Sequence, residues 1–461
     1  MIKNTDLKNE DNFTAQPVKF STATFGCKTN QSESDKITAE LLSYGLSLVE
    51  YTEDPDFMII NTCTVTSISD KKARQFIRKV KITTPAAKII VTGCFVDLNS
   101  NFLKENGIIH VFPNDKKDEI TKFIKNEVSF KGETMGNDNK PDSMGKHTRE
   151  FIKIQDGCEQ NCSYCIVPYV RNKYKSEKPA EIISNVTHAC STGIEEIVIT
   201  GIHIGKYGID FKNDSNNSID DILFSELDLN KLCRLLIKKT AIKRIRLSSI
   251  EINEITPDLL NLMHESGIIA KHLHIPLQSG SSKILKKMGR PYDMNYFFEK
   301  TALIRETIGD IALTTDIIVG FPGECESDFN ETLDAVKKIN FSKVHVFKYS
   351  QRKLTPAAIM NGQIREEIKN ERSLRLRKTS SELRDQFINT NKGKILQAVV
   401  EKIDYIKNEA GGMSGNYIKV YFAPVSEDKE VKIGRIVKVK TNLSYLDGLK
   451  GEIVKPVVNN Y

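Results

Sequence analysis

The stretch GCEQNCSYCIVPYVRN, residues 157–172, places Cys158, Cys162 and Cys165 in a CxxxCxxC pattern. Structural zinc takes four ligands and disulfides use cysteines in pairs, so neither is completed here. An iron–sulfur cubane also normally takes four thiolates, and no further cysteine lies within twenty residues on either side. The pattern therefore predicts either a cluster whose fourth corner is filled by something other than cysteine, or cysteines that are only packed or bind zinc.

The bulk composition is that of a globular protein that works in a reducing compartment. The chain has 461 residues, 39% hydrophobic and 28% charged, and its length predicts about three domains. No apolar run approaches the roughly 20 residues that cross a bilayer, so we expect no membrane segment. The polar start MIKNTDLKNEDNFTAQP is unlike a targeting peptide and predicts a disordered tail over residues 1–17. Nine cysteines without an export signal predict a cytoplasmic protein with reduced thiols.

Residues 18–130 alternate apolar runs with amphipathic stretches. The runs VKFSTATF, DFMIIN, AKIIVTG and IIHVF are typical of strands, and we expect helices between them near Glu33–Tyr44 and Asp70–Lys81. Strands that alternate with helices predict a doubly wound parallel sheet. The following residues 131–147, KGETMGNDNKPDSMGKH, are rich in Gly, Asn, Asp and Lys and predict a linker.

Residues 148–390 repeat the strand–helix alternation and end in an Arg- and Lys-rich helical stretch. Six βα units predict a barrel or a (βα)6 partial TIM barrel, with the chemistry at the carboxyl ends of the strands. Residues 391–461 change to short strands separated by Gly, Asp and Asn, which predicts a small OB-like β-barrel. The predicted fold class is therefore α/β with a C-terminal β-barrel. The six central strand candidates are FIKIQ, EEIVITG, RIRLSSI, HLHIPLQ, IALTTDIIVG and FSKVHVFKYS.

A second set of three cysteines lies in the first segment. Cys27, Cys63 and Cys94 each follow a different predicted strand. Because the carboxyl ends of parallel strands line one crevice of an open sheet, these cysteines can converge in space. Any one of them alone would be typical of a packed core residue, but all three at equivalent positions predict an auxiliary three-thiolate cluster with one open iron. The three remaining cysteines, to which we assign no chemistry, are Cys190, Cys233 and Cys325.

The open corner of the cluster at residues 158–165 can be filled by a small chelating ligand. S-adenosylmethionine can bind an iron through its amino and carboxylate groups, and in this respect the sequence resembles the radical S-adenosylmethionine superfamily. Tyr164, just before the third cysteine, fits the usual pattern of that superfamily. The resemblance implies that Gly201 receives the methionine amino group, and that Glu251 and Gln278 contact ribose or methionine. Taken singly, the last two would more often be solvated loop residues.

Two open clusters followed by a C-terminal barrel are similar to the methylthiotransferase family, over about residues 18–457. The resemblance implies two 4Fe–4S clusters, one radical and one auxiliary, and S-adenosylmethionine as cosubstrate. In that family, sulfur held at the auxiliary cluster is methylated, and a radical then converts a substrate C–H bond to C–SCH3. The resemblance also implies a one-electron reductant, a sulfur donor, and a TRAM-like RNA-binding module over residues 391–461.

The motif TFGCKTNQSESDK around the first cysteine resembles one branch of this family. That branch acts on N6-threonylcarbamoyladenosine at position 37 of tRNA, which implies the anticodon stem-loop as partner. The isopentenyladenosine branch tends toward Gly-Cys-Gln-Met-Asn, and the branch that modifies a ribosomal-protein aspartate tends toward Gly-Cys-Pro-Lys-Asn. Both remain alternatives. The chain departs from the family pattern at Asn172, Asn253 and Lys353-Leu354, the last in place of Pro-Gly in the motif YSxRPGT.

The C-terminal segment has a charge that suits RNA. Residues 392–455 carry twelve Lys or Arg against eight Asp or Glu, a net charge of +4, and we expect Tyr405, Tyr417 and Tyr445 to be exposed for stacking. A solvated barrel surface would have a similar charge. A non-catalytic RNA-binding metalloprotein therefore remains an alternative of another class, although neither cysteine set completes the closed shell of a structural zinc.

Overall fold

The computed structural model describes residues 17–130, 148–212, 226–424 and 431–454. The predicted tail, apart from Pro17, and the predicted linker at 131–147 lie outside the described residues. The described chain falls into two compact units. The first contains the residues up to Gly26, then Glu33–Cys63, then Ser69 to residue 130. The second contains Cys27–Ser32, Thr64–Ile68 and the described residues from 148 onward.

The first unit is built on a five-stranded sheet. Its strands are β1 (Lys19–Thr24), β2 (Ser47–Leu48), β3 (Phe57–Thr62), β4 (Lys88–Gly93) and β5 (His110–Phe112). They lie in the order β2-β1-β3-β4-β5, and every pair is parallel. The sheet confirms the predicted parallel arrangement. In the sequence, Cys27 follows β1, Cys63 follows β3 and Cys94 follows β4.

Helices cover both faces of this sheet. The odd-numbered residues of β3 belong to one core, with the helices Lys28–Ser43 and Asp118–Phe130. Its even-numbered residues belong to a second core, with the helix Ser67–Thr83. Because successive residues of a strand point to opposite faces, one strand can feed both cores, and the predicted doubly wound sheet is confirmed. The remaining helical elements here are Phe95–Leu98, Ser100–Glu105 and a 3-10 turn at Asn114–Lys116.

The second unit contains the six predicted central strands. They are β6 (Glu150–Asp156), β8 (Glu196–Gly201), β9 (Arg244–Leu247), β10 (His272–His274), β11 (Ala312–Val319) and β12 (Lys343–Lys348), with a short β7 (Lys175–Ser176). All six run parallel, and only β7 pairs antiparallel, on β6. Bridges at Ile245–Ile269 and Ser249–His274 join β9 to β10. The wall is therefore one open, six-stranded partial barrel, as expected.

The helices of this barrel pack against its outer face. Alternate strand residues such as Ile197, Leu273 and Val344 share a single large core with the helices. The residues between them face the lumen instead. The helices are Val167–Val170, Pro179–Ser191, Leu229–Lys239, Pro257–Ser266, Ser282–Lys287, Met294–Ile308, Glu326–Ile339 and Glu366–Asn389, with 3-10 turns at Ile204–Lys206, Asp210–Lys212, Ile252–Glu254 and Pro356–Ile359.

The C-terminal strands close into a five-stranded barrel. They are β13 (Ile395–Asp404), β14 (Glu409–Ser414), β15 (Lys419–Phe422), β16 (Ile436–Tyr445) and β17 (Gly448–Ile453). Around the barrel they follow the order β13-β14-β15-β17-β16, with β15 and β17 parallel and the other pairs antiparallel. Five strands closed in this way confirm the OB-like architecture. The charged residues expected at 427–430 and 455 lie outside the described residues.

The C-terminal barrel is docked against the central barrel through Tyr417. This ring stacks on His272 of β10, with ring centroids 4.5 Å apart and planes 18° apart. Arg246 of β9 donates hydrogen bonds to the carbonyls of Ser414, at 3.0 Å, and Gly415, at 3.2 Å. The expectation that Tyr417 is exposed for RNA is therefore wrong, whereas Tyr405 is 77% exposed, as expected. None of the described helices combines the length and hydrophobicity needed to cross a lipid bilayer.

Candidate metal centres

The first cysteine loop follows β6, and its entry requires glycine. Gly157 has φ +77°, and a Cβ built on it would lie 1.7 Å from the carbonyl oxygen of Lys173. The Cys158 N–H donates to the carbonyl of Arg171 at 3.0 Å, which closes the loop. Any larger residue at position 157 would therefore push the two ends of the loop apart.

Ser163 ties the middle of the loop to the rest of the barrel. Its N–H donates to the carbonyl of Met288 at 2.9 Å, and its hydroxyl donates to the carbonyl of Lys287 at 2.8 Å. Its own carbonyl accepts from the N–H of Ala357 at 2.8 Å. These bonds hold the loop on two other segments and restrict the orientation of its cysteines.

Two basic side chains contact the cysteine sulfurs. Arg290 Nη1 lies 3.5 Å from Cys162 Sγ, and His203 Nδ1 lies 3.5 Å from Cys158 Sγ. The other ring nitrogen of His203 lies 2.8 Å from Glu254 Oε1. Burial acts to lower the pKa of His203, but its hydrogen bonds with Cys158 and Glu254 raise it to about 9. The positive charge beside the sulfurs suits thiolate ligands.

The ionisation of the thiols is controlled by burial. Burial raises the pKa of the Cys165 thiol to about 12, against a hydrogen bond from the backbone of Val167. It also raises the pKa of Cys162, against the Arg290 guanidinium. Cys158 also raises the pKa of each of these two thiols, so the three sulfurs lie within electrostatic range of one another. Because iron binds the thiolate, we expect cluster assembly to release protons here. The loop thus fits a cluster held by three cysteines.

Arg290 forms an ion pair with Glu251, one of the residues that we expected to contact S-adenosylmethionine. Its Nη2 forms an ion pair with Glu251 Oε2 and donates to the hydroxyl of Tyr292 at 2.8 Å. Its side chain is 2% exposed. Burial acts to lower the pKa of Arg290, but Tyr164 and Glu251 raise it well above its usual range, so the guanidinium stays charged. Glu251 therefore orients the arginine beside Cys162.

The other three residues expected to contact S-adenosylmethionine also lie around the carboxyl ends of the strands. Gly201 ends β8, where an added Cβ would lie 2.8 Å from the carbonyl oxygen of Gln155. Gln278 follows β10 with φ +71°, and its backbone pairs with β11. Tyr164 packs partly buried on the core around Phe321. Their contacts with the cosubstrate stay a prediction.

Sequence reasoning missed several polar residues around this loop. Gln155 lies fully buried and accepts the N–H of His203 at 2.7 Å. Glu324 accepts the Gly320 N–H at 2.6 Å and pairs with Arg372 at 2.7 Å. The run GFPGE at residues 320–324 was the sequence signal that could have pointed to Glu324. A buried carboxylate needs hydrogen-bond and ion-pair partners, which Gly320 and Arg372 provide. Nothing in the local sequence identified the partners themselves.

The second cysteine set follows three neighbouring strands of the first sheet. β1 pairs with β3, and β3 pairs with β4. The Cys94 N–H donates to the carbonyl of Thr62 at 3.1 Å, so the backbones at Cys63 and Cys94 lie side by side. This approach needs Gly93 (φ +97°), where a Cβ would lie 2.2 Å from the same carbonyl. Cys63 and Cys94 therefore share one edge of the sheet, and Cys27 follows β1 in the sequence. That the three cysteines hold one cluster stays a prediction.

Across the described ranges, no three His, Cys, Asp or Glu side chains are arranged as ligands of one metal ion. A cubane differs from a single ion because each thiolate binds a different iron, so the sulfurs stand farther apart.

Comparison with known proteins matches two families. Residues 152–336 match the Radical SAM superfamily, and residues 19–112 match the Uncharacterized protein family UPF0004. Among solved structures, the radical S-adenosylmethionine methyltransferase TsrM from Kitasatospora setae has a TM-score of 0.52 and 13% identity, and the match covers 75% of this chain and 77% of TsrM. At that identity the likeness shows the fold alone.

Curated relatives match nearly end to end. The threonylcarbamoyladenosine tRNA methylthiotransferase MtaB of Bacillus subtilis is 35% identical over 94% of this chain and 96% of its own length. The tRNA-2-methylthio-N(6)-dimethylallyladenosine synthase of Thermodesulfovibrio yellowstonii is 32% identical over 94% of this chain and 97% of its own length. The chain therefore belongs to the methylthiotransferase family of radical S-adenosylmethionine enzymes, which use S-adenosylmethionine and two 4Fe–4S clusters.

Proposed function

We propose that this protein converts N6-threonylcarbamoyladenosine at position 37 of tRNA to its 2-methylthio derivative. The observation that carries the proposal is the set of relatives named threonylcarbamoyladenosine tRNA methylthiotransferase, at 35% and 32% identity over 94% and 88% of this chain. The two cysteine sets support the same reaction, because methylthiolation needs one centre for hydrogen abstraction and another for sulfur.

Each cysteine set has its own task in this proposal. Cys158, Cys162 and Cys165 hold the radical cluster, and the second set, Cys27, Cys63 and Cys94, holds the auxiliary cluster. With S-adenosylmethionine bound, the clusters supply the one-electron chemistry that replaces a C–H bond by C–SCH3. Arg290 balances thiolate charge at Cys162, and Gly157 and Ser163 hold the loop in a fixed shape. S-adenosylmethionine binds around Tyr164, Gly201 and Gln278, beside the Glu251–Arg290 pair.

The C-terminal barrel, residues 391–461, acts as a TRAM-like module that binds tRNA. A groove of about 360 Å³ runs over β13, β14 and β15 and is lined by Lys402, Lys407 and Tyr421 together with acidic side chains. Tyr421 packs edge-on against Tyr445 at 5.2 Å, so aromatic surface lies beside the lysines. Lysines beside aromatic rings suit contacts to phosphate and to unstacked bases.

The reaction requires partners that the chain does not contain. A one-electron reductant must reduce the radical cluster, and a sulfur donor must replenish the sulfur that leaves with the product. Because tRNA is the substrate and the cysteines must stay reduced, the protein acts in the cytoplasm. The boundaries of the proposed domains are 18–130, 148–390 and 391–461.

A second candidate substrate is isopentenyladenosine-37 in tRNA. It is favoured by the relatives named tRNA-2-methylthio-N(6)-dimethylallyladenosine synthase, at 30–32% identity over 92–95% of this chain. The identity to the threonylcarbamoyladenosine relatives reaches 35%. A ribosomal-protein aspartate as substrate, or a non-catalytic RNA-binding role, has no relative among these proteins in its favour.

Nucleoside digests of total tRNA from a strain without the gene test the proposal. We expect 2-methylthio-N6-threonylcarbamoyladenosine to disappear and its unmethylthiolated precursor to accumulate. Loss of the isopentenyl derivative instead would assign the second substrate. Iron and sulfide analysis of anaerobically purified protein should give about eight irons per chain, as two cubanes require.

A further inference from the structure

The lumen of the central partial barrel contains polar side chains, unlike the packed interior of a complete barrel. The interior of a complete barrel is commonly filled by Val, Ile and Leu in layers. Here the lumen-facing residues of β10, β11 and β12 include His274, Thr314, Asp316 and His345, while their neighbours along each strand lie in the outer core. Side chains of this kind do not form a dry core, so this stretch of wall is built for polar contacts.

Three of these side chains form a connected group, which we call the lumen cluster: His274, Asp316 and His345. His274 Nδ1 lies 2.9 Å from Thr314 Oγ1, and its Nε2 lies 3.2 Å from Asp316 Oδ2. Asp316 is the register partner of His345, and the two imidazole rings lie 5.7 Å apart. Within the described part of the chain, the ring nitrogens of His345 have no hydrogen-bond partner, and the ring is half-buried.

The lumen cluster lies beside a free aromatic ring. Phe347 follows His345 by two residues on β12 and therefore faces the same side of the strand. Its side chain is 45% exposed. A large apolar ring left open beside polar groups offers a surface on which a purine can stack.

The cluster also adjoins the mouth of the barrel. The Gln278 N–H donates to the carbonyl of Asp316 at 2.8 Å, and Gln278 is among the residues proposed to bind S-adenosylmethionine. Groups that act electrostatically on His345 include the Asp316 carboxylate, the His274 imidazole and two lysines, Lys343 and Lys28. The two lysines suit a ligand that carries a negative charge.

We propose that the lumen cluster binds the polar substituent on N6 of the substrate adenine while Phe347 stacks on the base. The inference rests on the proposed function and names the residues that select its substrate. A threonylcarbamoyl group presents urea N–H donors, a hydroxyl and a carboxylate. Asp316 can accept from the donors, and the His345 imidazole can donate to the carboxylate.

An isopentenyl group can make none of these contacts. Binding it would desolvate Asp316 and His345 without a partner in return. Sites built to hydrogen-bond a substrate discriminate strongly against analogues that lack the polar group, because their own polar groups are left unpaired. The lumen cluster would therefore exclude the substrate of the second candidate function.

The test compares anticodon stem-loop RNAs that carry threonylcarbamoyladenosine, isopentenyladenosine or adenosine at position 37. The variants are His345→Leu and Asp316→Asn in the cluster-loaded enzyme, with His264→Leu, an exposed helix residue, as the control. We expect each variant to lower kcat/KM for the threonylcarbamoyl RNA by about tenfold or more, while the isopentenyl and adenosine RNAs change little. Iron content and S-adenosylmethionine affinity should match those of the wild type and the control.

Unchanged preference among the three RNAs in both variants would overturn the inference. So would a loss of S-adenosylmethionine affinity at unchanged RNA discrimination, because the cluster would then serve the cosubstrate. Asp316→Asn keeps the shape of the side chain, so it answers the question even where His345→Leu unfolds. A wild-type enzyme that never methylthiolates the threonylcarbamoyl RNA would instead contradict the proposed function itself.

Discussion

At the scale of single residues, the cysteine loop depends on each of its three thiols. Each cysteine binds a different iron, so the loss of one cysteine leaves one iron of the radical cluster without its thiolate ligand. We expect Cys158→Ala, Cys162→Ala or Cys165→Ala to abolish 5′-deoxyadenosine formation, measured by chromatography after anaerobic reduction with S-adenosylmethionine. Retained cleavage by any single variant with full iron content would show that the radical cluster is bound elsewhere.

Another residue-scale prediction concerns strain at Leu354, where the family motif YSxRPGT has glycine. Leu354 has φ +78° and is 61% exposed. A side chain in this left-handed region costs about 1–2 kcal/mol relative to glycine. Leu354→Gly should therefore raise the free energy of unfolding by about 1 kcal/mol, measured by denaturant titration.

The same exchange elsewhere in the chain should have the opposite sign. Leu374 is also exposed but lies inside the helix Glu366–Asn389. Glycine within a helix costs about 1 kcal/mol, so Leu374→Gly should destabilise the protein. Equal effects of the two replacements would mean that backbone conformation at Leu354 is not strained.

At the scale of elements, the auxiliary cysteines depend on where strands end and helices begin. The helix expected near Glu33–Tyr44 begins at Lys28, because the Cys27 carbonyl accepts the Gln31 N–H at 3.1 Å. The polar run KTNQSESD carries no apolar periodicity, so its helical state was not readable from the sequence. Cys27 thus directly precedes the helix Lys28–Ser43 that follows β1 in the sequence.

The two cysteine sets follow strands of different sheets, so their functions should be separable. We expect the triple Cys→Ala variant at residues 27, 63 and 94 to make 5′-deoxyadenosine but no methylthio nucleoside. Its iron content should fall from about eight to about four per chain. Any 2-methylthio product from this variant, measured by mass spectrometry of digested tRNA, would mean that these cysteines only pack the sheet.

At the scale of the whole molecule, the C-terminal barrel contributes hydrogen-bond partners to buried arginines of the central barrel. Glu196 lies fully buried and accepts from Arg244 and Arg246, at 3.0 Å each. Arg244 also donates to the Gln397 carbonyl of the C-terminal barrel at 3.1 Å. Removing that barrel would break the hydrogen bonds of Arg244 and Arg246 to its carbonyls, and hydrogen bonds to charged groups contribute about 1.5–3 kcal/mol each.

Deletion of residues 391–461 should therefore lower the melting temperature and impair S-adenosylmethionine cleavage together with tRNA binding. The matched variant is Lys402→Glu with Lys407→Glu, which leaves the docked surface intact. It should weaken tRNA binding in a salt-dependent way and keep cleavage unchanged. A truncated protein with full thermal stability and full cleavage would contradict a structural role for the docking contacts.

The sequence by itself determined the order of sheet, partial barrel and small barrel, and it placed six cysteines at the carboxyl ends of strands. These features are local, because apolar periodicity and short motif spacing can be read within a few residues. Strands with few apolar residues were not predicted from the sequence. β14, EAGGMS, is one example, where Gly412 allows the close approach of β13.

Only the tertiary structure decided which side chains meet around those cysteines. Arg290 contacts Cys162 although the two residues lie 128 positions apart in the sequence. Tyr417 of the C-terminal barrel stacks on His272 of the central barrel. Asp316 faces His345 because β11 and β12 pair in one particular register. Such contacts depend on strand register and on the docking of distant elements, which free energy sets over the whole fold rather than within a window of sequence. The motifs therefore predict the class of reaction, whereas strand register and docking set which side chains contact one another in the barrel.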